Sequence, residues 1–414
     1  MLASAFTLSP FQSEDAHKGW LMSCARRVAT CLLVGVFLLG STAQPADAGL
    51  WDVVKEWYVS FQLGEVDEAN IPQVPVEYVG EVSLLLKNQV ELAFEEDTPG
   101  IGTLRWMGFS PEGTLLITDR TVAQALEFRR TDGKYVYVRS FGRQGNGPGE
   151  YASSVNMAVS PQGQAYLLDL DFGQILRYDR QGPYLDKMRS FNTSRLLTGL
   201  NGEVFLLKTN RMKIMEVQRL DPETWELLYR TPVSTDKQRF ISYRMATFAH
   251  LCYDSARHRL YYLGPNDYLV KEIDAETGAI LRQFGRPPEG FMPLPKYYHS
   301  LGRGSREDMA ELEMTVVNSM ILVQDRYLWI SHKIGRLGPI RWVLYDLTAS
   351  ARIDAYGFNS SAIERLKSFS NITPWKSVTA WQGRLYMWMP PPEDVAEKSN
   401  GIVEIYELSF SASS

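Results

Sequence analysis

Four histidines lie beyond the first fifty residues, His250, His258, His299 and His332. No two of them stand at the short helical spacing that lets neighbouring imidazoles share a metal ion. A metal or acid–base site built on them must therefore gather side chains from distant parts of the chain. Cys252 is the one cysteine outside the first 31 residues. It sits in the run His250-Leu251-Cys252-Tyr253, which reads as a buried strand, where a thiol serves as a small hydrophobe. No Ser-His-Asp order or glycine-flanked nucleophile elbow is present. The glycine-rich stretch 142–149 (GRQGNGPG) invites a phosphate-loop reading. It lacks a Gly-Lys-Ser/Thr and is followed by a strand pattern rather than a helix, so it reads as a linker.

The elements that must position such residues are strands. The chain has 414 residues, 45% hydrophobic and 12% aromatic, with 21 Tyr and 10 Trp, a composition that suits pleated, half-buried surfaces. Its net charge of −5 gives no bulk attraction to nucleic acid, and no nucleic-acid partner is expected. Six segments share one pattern of four strands. The second strands align at 115–119, 165–169, 204–208, 260–264, 328–332 and 385–389, spaced by 39 to 68 residues. Third strands follow at 125–129, 174–178, 214–219, 269–273, 341–345 and 401–406. Turns such as Ser110-Pro111-Glu112-Gly113 recur as Ser160-Pro161-Gln162-Gly163. Four strands per repeat is a propeller blade. The expected fold is all-β, a six-bladed β-propeller of four-stranded antiparallel blades over residues 76–410. The last repeat lacks a fourth strand, and a spare strand at 80–94 is expected to complete it, closing the ring.

The linker 143–151 (RQGNGPGEY) and the repeat that follows, 156–182, resemble NHL repeats. The chain is thus similar to the NHL-like and TolB-like six-bladed propellers, with Gln174 where such repeats carry an arginine. The resemblance implies a fold and leaves function open, because propellers host binding proteins, hydrolases and lyases. Lactonase-like members hold a metal at the channel with carboxylates and asparagines from several blades. That implies Asn156, Asn318, Asp119 and Asp169 as ligands, with calcium the divalent ion such oxygens favour. No cofactor is otherwise expected.

Every long loop falls on one face of the predicted propeller, the face of the loops joining second to third strands and blade to blade. Long loops on a rigid scaffold concentrate binding. Arg143, Glu150, Asp169, Arg211, His299, Arg303, His332, Arg336 and Trp375 are the candidate ligand-binding residues of that face. Two loops carry helix signals, one from Ser305 and one from a capping box at Ser361-Ala362-Ile363-Glu364. These helices either lid the channel or shield blade edges.

At the N-terminus, Arg26-Arg27, the apolar run 28–39 and Ala46-Asp47-Ala48 form an export signal, with Met22 the expected start and cleavage before Gly49. Residues 1–48 are read as extension and signal, and 49–75 as a short amphipathic helix (50–61) and linker. The mature chain is expected to have no transmembrane segment and to be periplasmic or extracellular. Two functions follow: an exported scaffold recognising a protein, peptide or glycan of the cell envelope on the long-loop face, or a channel-centred hydrolase or lyase.

Overall fold

The computed structural model describes residues 66–93, 99–119, 124–210, 214–234, 249–294, 313–335, 337–349, 351–370, 378–391 and 399–412. The expected signal and the helices expected at 50–61 and from Ser305 fall outside them. A 3-10 turn at Glu68–Asn70 precedes two strands, β1 (Gln73–Val74) and β2 (Val76–Glu91). Blade one is β3 (Leu104–Phe109), β4 (Leu115–Asp119), β5 (Gln124–Thr131) and β6 (Lys134–Phe141). A short parallel pair, β7 (Arg143–Gln144) and β8 (Glu150–Tyr151), links it to blade two. That blade is β9 (Ser154–Val159), β10 (Ala165–Asp169), β11 (Gln174–Tyr178) and β12 (Tyr184–Arg189). Blade three is β13 (Thr193–Thr198), β14 (Val204–Thr209), β15 (Met215–Leu220) and β16 (Leu227–Pro232). Blade four is β17 (His250–Asp254), β18 (Arg259–Leu263), β19 (Val270–Asp274) and β20 (Ile280–Phe284). Blade five is β21 (Thr315–Val323), β22 (Tyr327–Ile334), β23 (Ile340–Asp346) and β24 (Ile353–Phe358). The helix α1 (Ser360–Ser370) follows, then β25 (Val378–Trp381), β26 (Arg384–Met389) and β27 (Ile402–Ala412).

The inner strands touch in a circuit: β3 meets β9, then β13, β17, β21 and β25 follow, and β25 meets β3 again. The fold is a β-propeller. Middle strands such as β4, β10 and β11 are buried along their whole length, because each packs against a blade on both faces. Between blades one and two, Leu116, Phe141, Met157, Leu176 and Tyr178 form one such interblade core. The outer strand β12 instead alternates between half-buried and exposed positions.

The turns explain the repeated short motifs. Ser110 accepts from Gly113 N (2.9 Å) with its carbonyl and from Thr114 N (3.1 Å) with its hydroxyl. Ser160 does the same for Gly163 N (2.8 Å) and Gln164 N (3.2 Å). Gly113 and Gly163 have φ of 83° and 86°, which a side chain would strain. Asp179, Asp221 and Asp274 each close the next hairpin by accepting two backbone N–H bonds.

The N-terminal segment runs as a belt around the outer edges. β1 pairs in parallel with β20 of blade four, residues 76–82 pair in parallel with β24 of blade five, and residues 80–91 pair antiparallel with β27 of blade six. Leu92 then bridges to Tyr135 on the outer strand of blade one. The spare strand thus serves blades five and six together, longer than the sequence pattern indicates. Residues 66–75, expected as a linker, are instead held to blade four: Gln283 N donates to Pro72 O (2.8 Å) and Lys271 Nζ to Glu68 Oε1 (2.8 Å). Prolines at 72 and 75 gave this stretch its linker look, yet a proline carbonyl still accepts, as both do here.

The helix α1 is capped by Asn359, not by Ser361. Asn359 Oδ1 accepts from Ala362 N (2.9 Å) and Asn359 O from Ile363 N (2.9 Å). Ala362 and Leu366 bury against Val82, Phe358 and Tyr406, so α1 shields the junction of blades five and six.

Candidate functional site

Four chemically able side chains converge near the axis, between blades three, four and five. His250 opens the inner strand β17, Cys252 lies two residues on, and Arg195 lies in the inner strand β13. His332 comes from the end of β22. By strand direction the first turn of an inner strand and the last of a second strand share one end of the propeller, that of the long loops. His250 and His332 are 7% and 2% exposed. Arg195 and Cys252 are half-buried.

His332, Cys252 and Arg195 each meet a backbone carbonyl. His332 Nε2 meets the backbone carbonyl of Asp267 at 3.0 Å. A carbonyl only accepts, so Nε2 carries the proton and Nδ1 of the neutral ring is a bare lone pair. Among the described residues that buried Nδ1 has no hydrogen-bond partner, and neither has His250 Nε2. Cys252 Sγ donates to Met320 O (3.2 Å) and Arg195 Nη1 to Ser194 O (2.8 Å). Ser319 and Ser331 hydroxyls are 2.6 Å apart nearby in blade five.

Burial governs the protonation of all four. It brings His332 down to about 4, against the pull of the Asp267 carbonyl. Burial lowers His250 well below the ordinary imidazole value, with Arg195 and His332 adding to the shift. Burial pushes the Cys252 thiol up to about 12 and lowers Arg195 to about 10. At neutral pH the group therefore holds one cation, two uncharged imidazoles and a protonated thiol.

The other candidates named from the sequence have been placed as follows. Arg143 Nε donates to Glu150 Oε1 (2.7 Å), and Glu150 Oε2 accepts from Gly147 N (2.7 Å). These bonds, the backbone one first, hold Glu150 below the usual carboxylate range. The pair staples the glycine-rich linker, and Gly145 (φ 157°) leaves the space that the Glu150 carboxylate fills. Asp169 is fully buried and accepts from Ala152, Ser153, Asp171 and Phe172 N–H and from Gln174 Nε2. Asn156 Oδ1 accepts from Leu196 N (2.7 Å), tying blade two to blade three. Asn318 lies at a register shift in β21, with Nδ2 3.4 Å from Ser331 Oγ. Asp119 is fully buried at the end of β4. The oxygens of Asp169 and Asn156 are thus turned to N–H groups. Arg211, His299, Arg303, Arg336 and Trp375 lie outside the described residues.

Among the described residues the one cluster of metal-ligating type is Glu203, His258 and Glu276, at the opposite end of the propeller. Arg219 already sits in it, 2.7 Å from Glu276 and 3.7 Å from Glu203. It is an ion-pair network. Of the channel group, sequence reasoning named His332 as a ligand residue and noted His250 and Cys252 without joining them. Arg195 was missed: it stands alone in an ordinary strand and carries no motif.

A family model described as a 6-bladed beta-propeller matches residues 98–197, which span blades one and two and most of the inner strand of blade three. No curated protein matches the sequence. Among solved structures, the chain is similar to a Bacteroides fragilis protein described as exported, at 12% identity and TM-score 0.54, over 82% of this chain and 99% of that one. It is also similar to a member of the duf4221 family from Bacteroides vulgatus, at 10% identity and TM-score 0.52, over 81% and 99% of the two chains. At such identities the likeness is one of fold. No helix among the described residues is long and apolar enough to cross a membrane.

Proposed function

We propose that the protein is an exported binding propeller whose ligand seats at the long-loop end of the central channel, against Arg195, His250 and His332. The observation that carries this reading is the pair of buried imidazole nitrogens without partners, beside a cation. Buried polar atoms in folded proteins are nearly always satisfied, and exceptions mark places where another group belongs. A ligand O–H or N–H would satisfy the lone pair of His332 Nδ1, and an oxyanion would meet Arg195. The export signal at 26–48 supports a periplasmic or extracellular site of action, and the similarity to a Bacteroides protein described as exported agrees with it. A protein, peptide or glycan of the envelope could present such a group at the channel mouth.

The hydrolase or lyase reading asks more of these residues. A general base works best with a pKa near the working pH, and an imidazole at about 4 is a weak base. A thiol raised to about 12 is a poor nucleophile. The set is better suited to holding a ligand than to turning one over.

The test is a thermal-shift panel of small carboxylates and acidic peptides on the wild type, Arg195→Ala and His332→Gln. An anionic compound should raise the wild-type melting temperature by several degrees, and both variants should lose that shift while keeping cooperative melts. Equal shifts in all three proteins, or none in the wild type, would count against the channel site.

A further inference from the structure

A second concavity, away from the channel, lies on the long-loop side of blade two. It encloses about 380 Å³ and is lined by Asn146, Phe172, Gln174, Lys187, Arg189 and Phe191, with Glu150 at its border. We propose that this cleft binds a carboxylated sugar ring, a hexuronic acid unit.

The first reason is the pair of phenylalanines. Phe172 is 40% and Phe191 58% exposed, on a rim where an apolar ring gains nothing from water. Phe191 also lies against Gly173. A Cβ on Gly173 would lie 2.2 Å from its ring, so the ring packs against the glycine. Gly173 adopts φ 58°, a conformation that glycine takes without strain. Part of the ring is thus seated on the protein, while over half of the residue's surface stays open. A preformed aromatic platform of this kind accepts a flat or puckered ring that presents C–H groups.

The second reason is charge. Lys187 and Arg189 project from the same face of β12, two residues apart, and Arg189 stands opposite Gln174. Among the described residues neither makes an ion pair. Glu150 does not neutralise them, since its two oxygens serve Arg143 and Gly147. Two unpaired cations beside an aromatic platform call for a ligand that is apolar on one side and anionic on another. Arginine is suited to a planar carboxylate, which it grips through two parallel N–H bonds. The exposed amide of Asn146 adds a donor and an acceptor for ring hydroxyls. The volume lies in the usual range for small-ligand clefts, about 300–1,000 Å³. A neutral sugar would leave both cations unused, and a plain carboxylate would leave both rings exposed.

The cleft is independent of the channel group, and its test keeps the two apart. Trimers of galacturonic, mannuronic and glucuronic acid, with a neutral glucose trimer and an acidic proline-containing tripeptide as controls, are titrated calorimetrically at low salt. At least one acidic trimer should bind ten-fold or more tighter than the neutral trimer and the peptide. Lys187→Gln/Arg189→Gln should weaken it at least ten-fold, and Phe191→Ala at least five-fold, with unchanged melts. Arg195→Ala, in the channel, should leave it unchanged. No binding by any acidic trimer, equal binding by the neutral one, tighter binding of the peptide, or loss with Arg195→Ala but not with Phe191→Ala would each overturn the proposal.

Discussion

Blades two and five have the same four-strand plan and handle their outer edges in opposite ways. On blade five the belt strand β2 covers β24, so the last strand has partners on both sides. On blade two β12 pairs, among the described residues, only with β11, and Leu185, Lys187 and Arg189 stand exposed along it. On the belted side, blades four to six and one, Lys271 is fully buried, and the uncharged imidazoles of His250 and His332 are nearly so. The open side keeps Lys187 and Arg189 in water. An uncovered strand edge is a liability that charged side chains blunt. On blade two the same charges coincide with two exposed phenylalanines and a cleft, so guarding the edge accounts for only part of the pattern. The covered edge should therefore contribute more to stability than the uncovered one.

The largest effect that can break this comparison comes from placing one charge in each edge. Val82 is fully buried in the belt, within the core shared by blades five and six, whereas Leu185 is 45% exposed on β12. Val82→Asp puts an unpaired carboxylate in an apolar site and should cost at least about 4 kcal/mol in urea unfolding. Leu185→Asp should fall within about 0.5 kcal/mol. Similar costs at the two sites would mean that the belt is not an integral part of the propeller.

Next comes the pH response of the buried imidazoles. His332 has its pKa brought down from 6.5 to about 4 by burial. Between those values the unfolded chain binds the proton and the folded one does not, so stability rises with pH across the window. The contribution is complete above about 6.5 and is lost as pH falls towards 4, on the order of 3 kcal/mol for a group held this far down. His250 shifts in the same direction and steepens the loss. Chemical denaturation of wild type and His332→Gln from pH 7 to pH 4 measures the difference. The variant should show the shallower acid slope, by about one proton. Parallel slopes would place His332 in contact with solvent and remove the buried lone pair from the channel account.

How much of this was legible beforehand depended on whether a feature had a local pattern. The blades did: Leu115–Asp119, Ala165–Asp169 and Val204–Thr209 are apolar runs bounded by Gly-bearing turns, and their period needs no partner to be seen. The antiparallel pairing of the early strand with the last repeat followed from counting strands. Its parallel pairing with blade five did not, because Val76–Val82 has no feature that marks an edge as shared. Asp169 looked like a site residue because it ends a strand beside a loop, where the backbone N–H groups it caps are also found. The channel group was illegible for a different reason. Arg195, His250 and His332 are separated by 55 and 82 residues and meet only because the propeller returns each blade to the axis.

The smallest effect sharpens the comparison most, since it sets one ion pair against another. Lys271 Nζ is fully buried, 2.8 Å from Glu68 of the belt and 4.0 Å from Asp267. Lysine is seldom buried to this degree without a partner. Glu68→Gln keeps the side-chain shape and removes the charge, leaving the ammonium to Asp267 alone. Because Glu68 keeps a third of its surface in water, the full cost of a broken buried pair is discounted, to about 2 kcal/mol. Between blades one and two Glu112 and Arg180 form a pair in which both partners are at least half exposed. Glu112→Gln should change stability by no more than about 0.5 kcal/mol, and less in high salt. Both variants, melted in low and high salt, read out whether the belt's contact with blade four is a buried electrostatic lock. If Glu68→Gln proved as mild and as salt-sensitive as Glu112→Gln, residues 66–72 would be a surface attachment, and the belt's hold would begin only at the strand pairing of β1.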